Sequence, residues 1–86
     1  MPSFRITLII GALHPGVTPD TVLPTLAASA AELTTVEASD LAVVAGSPRA
    51  MLRFTADDAA MALSVGEHVL AAARAAVEPM SWQVTE

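Results

Sequence analysis

Four segments of the chain have the alternation of apolar and polar residues, or the β-branched content, that is typical of β-strands. They are residues 4–10, 34–44, 49–55 and 80–85. The segment Ala45-Gly46-Ser47-Pro48 has the composition of a tight turn and predicts a hairpin between the second and third strands. We expect a bulge or break in the second strand at Ser39 and Asp40.

Apolar residues recur at helical spacing in the two segments that separate these strands. In the first segment Thr18 precedes Pro19 and Asp20, an order typical of an N-cap, a first-turn proline and a first-turn acid. This helix begins either at Thr18, with a kink at Pro24, or at about Pro24 after a short turn.

The second predicted helix runs to about Val77, and Pro79 ends it. Thr55 and Asp58 have the spacing of a capping box. Gly66 costs about 1 kcal/mol in helix propensity, which a close approach of helix and sheet would offset. The stripe expected to face the sheet is Ala59, Ala62, Leu63, Gly66, Val69, Leu70, Ala73 and Val77, with Met61, Val65, His68 and Ala72 beside it.

The element order β-α-β-β-α-β predicts an α+β fold, the ferredoxin-like two-layer sandwich, as a single domain over residues 1–86. Its four-stranded antiparallel sheet has the order 4-1-3-2, and both helices lie on one face. The residues expected to point at the helices are Phe4, Ile6, Leu8, Ile10, Leu52, Phe54, Trp82 and Val84. The other side, here called the open sheet face, carries Arg5, Thr7, Ile9, Arg49, Met51, Arg53, Ser81, Gln83 and Thr85.

Composition narrows the possible functions. The 86 residues include no cysteine, which excludes disulfides, Cys-ligated zinc and a thiol nucleophile. A net charge of −5 with four arginines disfavours nucleic acid and anionic membranes as partners. The apolar run after Arg5 is better explained as a strand than as a signal peptide, so we expect a cytoplasmic protein. The absence of lysine beside many alanines indicates GC-rich coding, as in actinobacteria or their phages.

Three of the four arginines share the open sheet face, and three interpretations of that face are open. It is a solvated surface, a subunit interface, or a site for an anion or RNA. RNA is disfavoured because Thr7, Ile9, Met51 and Arg53 include no aromatic ring on which a base could stack. For a homo-oligomer or protein-partner interface, the candidate residues are Arg5, Ile9, Arg49, Met51 and Arg53.

No set of residues has the pattern of a catalytic or metal site. His14 and His68 are far apart in the chain and have no cysteine beside them, which gives no metal-ligand spacing. The serines lie in no G-x-S-x-G motif, and the glycines form no phosphate-binding loop. A cofactor-independent enzyme similar to the dimeric α/β-barrel proteins would have its cavity between the helices and the sheet. The core-facing positions lack the polar residues that such a cavity needs. We therefore predict no enzymatic activity, no cofactor and no metal.

The segment His14-Pro15-Gly16-Val17, between the first strand and the first helix, resembles the corresponding loop of ACT regulatory domains. That resemblance implies binding of a small ligand such as an amino acid near the loop, for which the candidate residues are His14, Gly16 and Thr18. Leu13 stands where the family often has an acid. We predict a non-enzymatic module that self-associates or binds a protein partner, with an ACT-like regulatory domain as the alternative.

Overall fold

A computed structural model describes residues 2–86, with the backbone alone at Pro79 and Met80. Its elements are β1 (Ser3–Leu13), α1 (Pro19–Ala31), β2 (Val36–Val44), β3 (Ser47–Thr55), α2 (Ala59–Arg74) and β4 (Val77–Thr85). The strands form one sheet in the order β2-β3-β1-β4, and every neighbouring pair is antiparallel. Both helices pack on one face of this sheet. The predicted ferredoxin-like fold is confirmed.

The alternation in β1 builds the core. Phe4, Ile6, Leu8 and Ile10 are buried and lie under the helices. Ile6 pairs with Leu52 on β3 and with Val84 on β4, so the two central strands present one continuous apolar surface. All the residues predicted to face the helices do so, although Trp82 and Val84 are only partly buried because β4 is an edge strand.

The first helix begins at Pro19, directly after Thr18, so the predicted start near Pro24 is wrong. Thr18 has extended dihedral angles, and the helix continues through Pro24 to Ala31. Pro24 is exposed, and the amide that it lacks would have bonded the carbonyl of Asp20 in the solvated first turn. The threonine at the N-cap makes no side-chain cap; instead the hydroxyl of Thr21 donates to the Thr18 carbonyl at 2.8 Å.

The predicted capping box of α2 is wrong. Asp58 is itself the N-cap, and its Oδ1 accepts a hydrogen bond from the Met61 amide at 2.8 Å. Thr55 is the last residue of β3, where its carbonyl accepts from the Thr34 hydroxyl. Asp58 caps because its carboxylate reaches the amide three residues ahead, whereas Thr55 is still held in the sheet.

The predicted end of α2 and the composition of its buried stripe also need correction. The helix ends at Arg74, and Val77 is fully buried as the first residue of β4, opposite Leu13. The Ala76 carbonyl accepts from the His14 amide at 2.9 Å, which draws the chain out of the helix and into the sheet. Val65 is buried in the stripe, whereas Ala59 and Leu63, which were predicted to belong to it, are exposed.

The β2–β3 hairpin is tighter than predicted, and its bulge lies elsewhere. Ala45 and Gly46 alone form the turn, both with positive φ (52° and 80°), so Ser47 and Pro48 belong to β3. The register shifts between Val36 and Ala38, which places the bulge at Glu37 instead of at Ser39 and Asp40. Glu37 turns there towards β1, where its Oε1 accepts from the Ser3 hydroxyl at 2.6 Å.

Candidate functional site

The open sheet face has the composition that was predicted, and the strand register arranges it in rows. Arg49, Ile9 and Ser81 form one row across β3, β1 and β4; Met51, Thr7 and Gln83 form the next; Arg53, Arg5 and Thr85 form the third. Neither helix covers these residues, yet Ile9, Arg49 and Met51 are only partly exposed because neighbouring side chains shield them. The candidate interface residues are thus brought together on one face, and their role as an interface stays a prediction.

The three arginines of this face have different electrostatic surroundings. Arg53 Nε lies 3.6 Å from Glu37 Oε1, an exposed pair of the kind that contributes little to stability. Arg5 stands directly opposite Arg53, and like charges in that position repel each other. Arg49 has no carboxylate within 4 Å among the described residues, and its Nε is buried without a hydrogen-bond partner.

The predicted ligand loop does not converge on a site. The His14 ring lies against the α2–β4 corner, with Nδ1 3.3 Å from the Ala75 carbonyl and Nε2 3.6 Å from Glu78 Oε1. Gly16 is exposed with a φ of 85°, and the Thr18 hydroxyl donates to the Thr21 hydroxyl at 3.5 Å. His14 therefore anchors the loop to the neighbouring corner, and a ligand role for these three residues stays a prediction.

An apolar cavity that the sequence analysis missed lies at the same end of the molecule, between the first turn of α1 and the sheet. We call it the apolar cleft. Its volume is about 170 Å³, and it is lined by Ile10, Gly11, Leu13, Pro19, Val22, Leu41 and Pro48. Pro19 and Val22 of the first turn of α1 form one wall of the cleft, and Leu41 of β2, which points to the helix side and is 41% exposed, borders it on the sheet.

The lining of the apolar cleft determines what it can hold. No titratable side chain contributes to it, so it offers contact area and exclusion of water. A cavity of about 150 Å³ with aliphatic and aromatic walls is known to bind benzene, so the cleft has room for one apolar ring. Among residues 2–86, no group of three or more histidines and acids is placed to hold a metal ion. No described helix has the length and hydropathy to cross a bilayer.

The second histidine lies away from both surfaces. His68 on α2 faces Glu32, the C-cap residue of α1, and its Nε2 lies 3.1 Å from the Glu32 carboxylate oxygen Oε1. Both side chains are exposed, so this pair links the two helices at the surface. The pair is a surface contact between α1 and α2, and neither residue lines the apolar cleft.

The fold of this chain is similar to that of a protein of known structure. No protein-family model matches the chain, and none of the curated proteins does. A solved structure described as a candidate antibiotic biosynthesis monooxygenase from Chloroflexus aurantiacus J-10-fl is similar, with a TM-score of 0.53. The match covers 98% of this chain and 91% of that one, at 13% sequence identity. At so low an identity, the likeness shows a shared fold.

This likeness corrects the functional prediction made from the sequence. A non-enzymatic interaction module, with an ACT-like regulatory domain as its alternative, was expected; the similar fold belongs to a protein named for an enzymatic reaction. In the loop that carried the ACT resemblance, His14 contacts the Ala75 carbonyl, and the apolar cleft lies beside this loop. The predicted lack of enzymatic activity is therefore not confirmed.

Proposed function

We propose that this protein binds the apolar ring of a small molecule in the apolar cleft and acts on that molecule as a monooxygenase. The cleft is the observation that carries the proposal. The name of the similar structure supplies the reaction class, and its coverage of 98% of this chain supports the comparison of the two folds.

The size of the cleft limits the substrate. Its volume of about 170 Å³ accommodates one ring, whereas whole ligands usually occupy about 300–1,000 Å³. The rest of a larger molecule would extend over β2, where Leu41 and Val43 are exposed on the same side of the sheet. The proposed substrate is thus a fused aromatic molecule that inserts one ring and leaves the remainder at the surface.

The proposed reaction uses only O₂ and the substrate. An activated CH₂ group between aromatic rings takes one oxygen atom of O₂ and becomes a carbonyl. Both C–H bonds break, the two hydrogens leave with the second oxygen atom as water, and the CH₂ carbon supplies all four electrons that reduce O₂. Since no titratable side chain lines the cleft, the contribution of the chain is to hold the reacting ring in place and to exclude water from it.

Binding is tested with 1-naphthol, followed by the methyl NMR signals of Ile10, Leu13 and Val22. We expect these signals to shift as 1-naphthol is added, until its binding is saturated. Leu41→Glu places a charge at the mouth of the cleft and should weaken binding at least tenfold, because an apolar ring would then desolvate a carboxylate. Val44→Glu is the matched control: Val44 is 45% exposed, lies on the same strand and points to the other face. Unmoved methyl signals would contradict binding in the cleft.

Activity is tested with anthrone, whose central CH₂ becomes a carbonyl on oxygenation. O₂ uptake should exceed the uncatalysed rate with the wild-type protein and with Val44→Glu, and should fall to that rate with Leu41→Glu. If 1-naphthol binds and anthrone consumes no additional O₂, the monooxygenase part of the proposal is wrong for this substrate class, and the binding part stands.

Assembly and location are separate proposals. Self-association through Arg5, Ile9, Arg49, Met51 and Arg53 is supported by the partly buried Ile9 and Met51, which no element of the described chain covers. A cytoplasmic location rests on the interpretation of the first apolar segment as a strand, and β1 is consistent with it.

A further inference from the structure

Arg49 on the open sheet face carries an unpaired donor. Its Nε is shielded from solvent and has no hydrogen-bond partner among the described residues. A buried N–H without an acceptor costs free energy, because the water that bonded it in the unfolded chain has not been replaced. Arginine stays charged under all ordinary conditions, so the group cannot relieve this cost by losing its proton.

The same side chain borders a cavity. The cavity has a volume of about 290 Å³ and is lined by Thr7, Ile9, Arg49, Ser81, Trp82 and Gln83. The register places Ile9 between Arg49 and Ser81, and Gln83 beside Thr7, so polar groups from β3, β1 and β4 surround one central apolar residue. We call this the Arg49 cavity. It lies on the opposite side of the sheet from the apolar cleft. A second copy bound through Ile9 and Arg49 would cover this cavity, so ligand binding here and self-association through the open sheet face exclude each other.

No acid of the described chain neutralises Arg49. Of the two acids on β2, Asp40 is nearer to Arg49 in register, and it stands opposite Met51, one row away from Arg49. The residue of β2 that faces Arg49 directly is Ala42. Arg53 on the same strand, by contrast, has Glu37 at 3.6 Å. A positive charge without a partner thus stands beside a cavity large enough for a small ligand.

We propose that the Arg49 cavity binds the carboxylate of a small organic acid, with the apolar part of that acid resting on Ile9. The Nε and Nη edge of a guanidinium presents two parallel donors that match the two oxygens of a carboxylate. Since Nε is covered in the present conformation, such a bidentate contact requires the guanidinium to turn towards the cavity. Its unpaired N–H favours that turn.

The neighbouring side chains fit the same ligand. The hydroxyls of Thr7 and Ser81 and the amide of Gln83 are available as further donors to an anion. The net charge of −5 opposes anions at long range, but the Debye length is about 8 Å at physiological ionic strength, so acids elsewhere on the surface are largely screened. The site is therefore governed by its local groups.

Arginine Nε NMR signals give a direct test, because the four arginines of the chain produce four such signals. Benzoate should shift the Arg49 signal to saturation and leave the Arg74 signal in place. Acetate, which has the carboxylate without the ring, should bind at least tenfold more weakly. Benzyl alcohol, which has the ring without the charge, should not shift the signal, and inorganic phosphate should bind more weakly than benzoate.

Substitutions of arginines distinguish the bidentate contact between Arg49 and a carboxylate from attraction of an anion by positive charge alone. Arg49→Gln should weaken benzoate binding at least tenfold, and Arg49→Lys should weaken it as well, since lysine keeps the charge and lacks the paired donors. Arg74→Gln, at the exposed end of α2, is the matched control and should bind benzoate as the wild-type protein does. Far-UV circular dichroism checks that each variant is folded.

Three outcomes would overturn the proposal. One is a benzoate affinity that Arg49→Gln does not change. Another is an equal shift of all four arginine signals, which would indicate unspecific association. The third is a dimer that Arg49→Gln converts to a monomer while benzoate leaves the Arg49 signal unmoved, because a carboxylate of a second copy would then be the partner of this arginine.

Discussion

The backbone of Gly66 approaches Val84 so closely that a Cβ at position 66 would lie 2.8 Å from the Val84 Cγ2 atom. The same Cβ would lie 3.0 Å from Trp82 Cζ3. Helix α2 can therefore rest on β4 only because residue 66 has no side chain. This contact explains a glycine in the middle of a helix, where it is otherwise unfavourable.

Gly66→Ala should destabilise the protein although alanine is the better helix former. The gain in helix propensity is about 1 kcal/mol, and forcing an extra methyl group into a packed interface costs about 1–3 kcal/mol. We expect a net loss of about 1 kcal/mol in the free energy of unfolding, measured by urea denaturation.

A double-mutant cycle tests whether Val84 is the cause. Val84→Ala removes the atom that the new Cβ would meet, so Gly66→Ala should cost less in that background than in the wild-type protein. Equal costs in both backgrounds would assign the loss to another contact, and a Gly66→Ala variant more stable than wild type would contradict the packing argument.

Asp58→Ala should lower the free energy of unfolding by about 1 kcal/mol, because the Met61 amide at the start of α2 loses its acceptor. Asp57→Ala is the control: this exposed neighbour makes no side-chain cap, and its loss should change stability by less than about 0.5 kcal/mol. Equal effects of the two substitutions would mean that local charge, and not the cap, stabilises the helix.

Local patterns in the sequence predict the strands, and the order of strands and helices along the chain predicts the strand order of the sheet. Alternation within each strand predicts which side chains share a face, and so predicts the composition of the open sheet face. The end of α2 is not predictable in this way. The alanines before Val77 favour a helix, yet the helix ends at Arg74, and the next residues pair with β1 through the His14 amide and the Ala76 carbonyl.

The two cavities differ in how far the sequence reveals them. Ile10, Val22 and Leu41 have the pattern of ordinary core residues, and the gap between them depends on how the first turn of α1 packs over the sheet, which no local pattern describes. Alternation does place Arg49 and Ile9 on one face. That a guanidinium nitrogen is buried there without an acceptor depends on the surrounding side chains, which no periodicity describes.

Ala45→Asn should stabilise the β2–β3 hairpin. Ala45 has a φ of 52°, a left-handed conformation that costs an ordinary residue about 1–2 kcal/mol and that asparagine tolerates better. We expect the free energy of unfolding to rise by up to about 1 kcal/mol. Ala45→Val is the opposite control, since a β-branched residue is strained there; a gain from valine would contradict the turn geometry.

If the open sheet face joins two copies, the protein should be a dimer by light scattering after size exclusion. Ile9→Glu combined with Met51→Lys should then yield a folded monomer. The fold should tolerate this pair, because the new acid stands opposite Arg49 and the new base opposite Asp40. The matched control, Leu63→Glu with Val43→Lys, alters two exposed apolar residues elsewhere and should remain dimeric. A wild-type monomer at tens of micromolar would refute the interface prediction and leave the Arg49 cavity open to small anions.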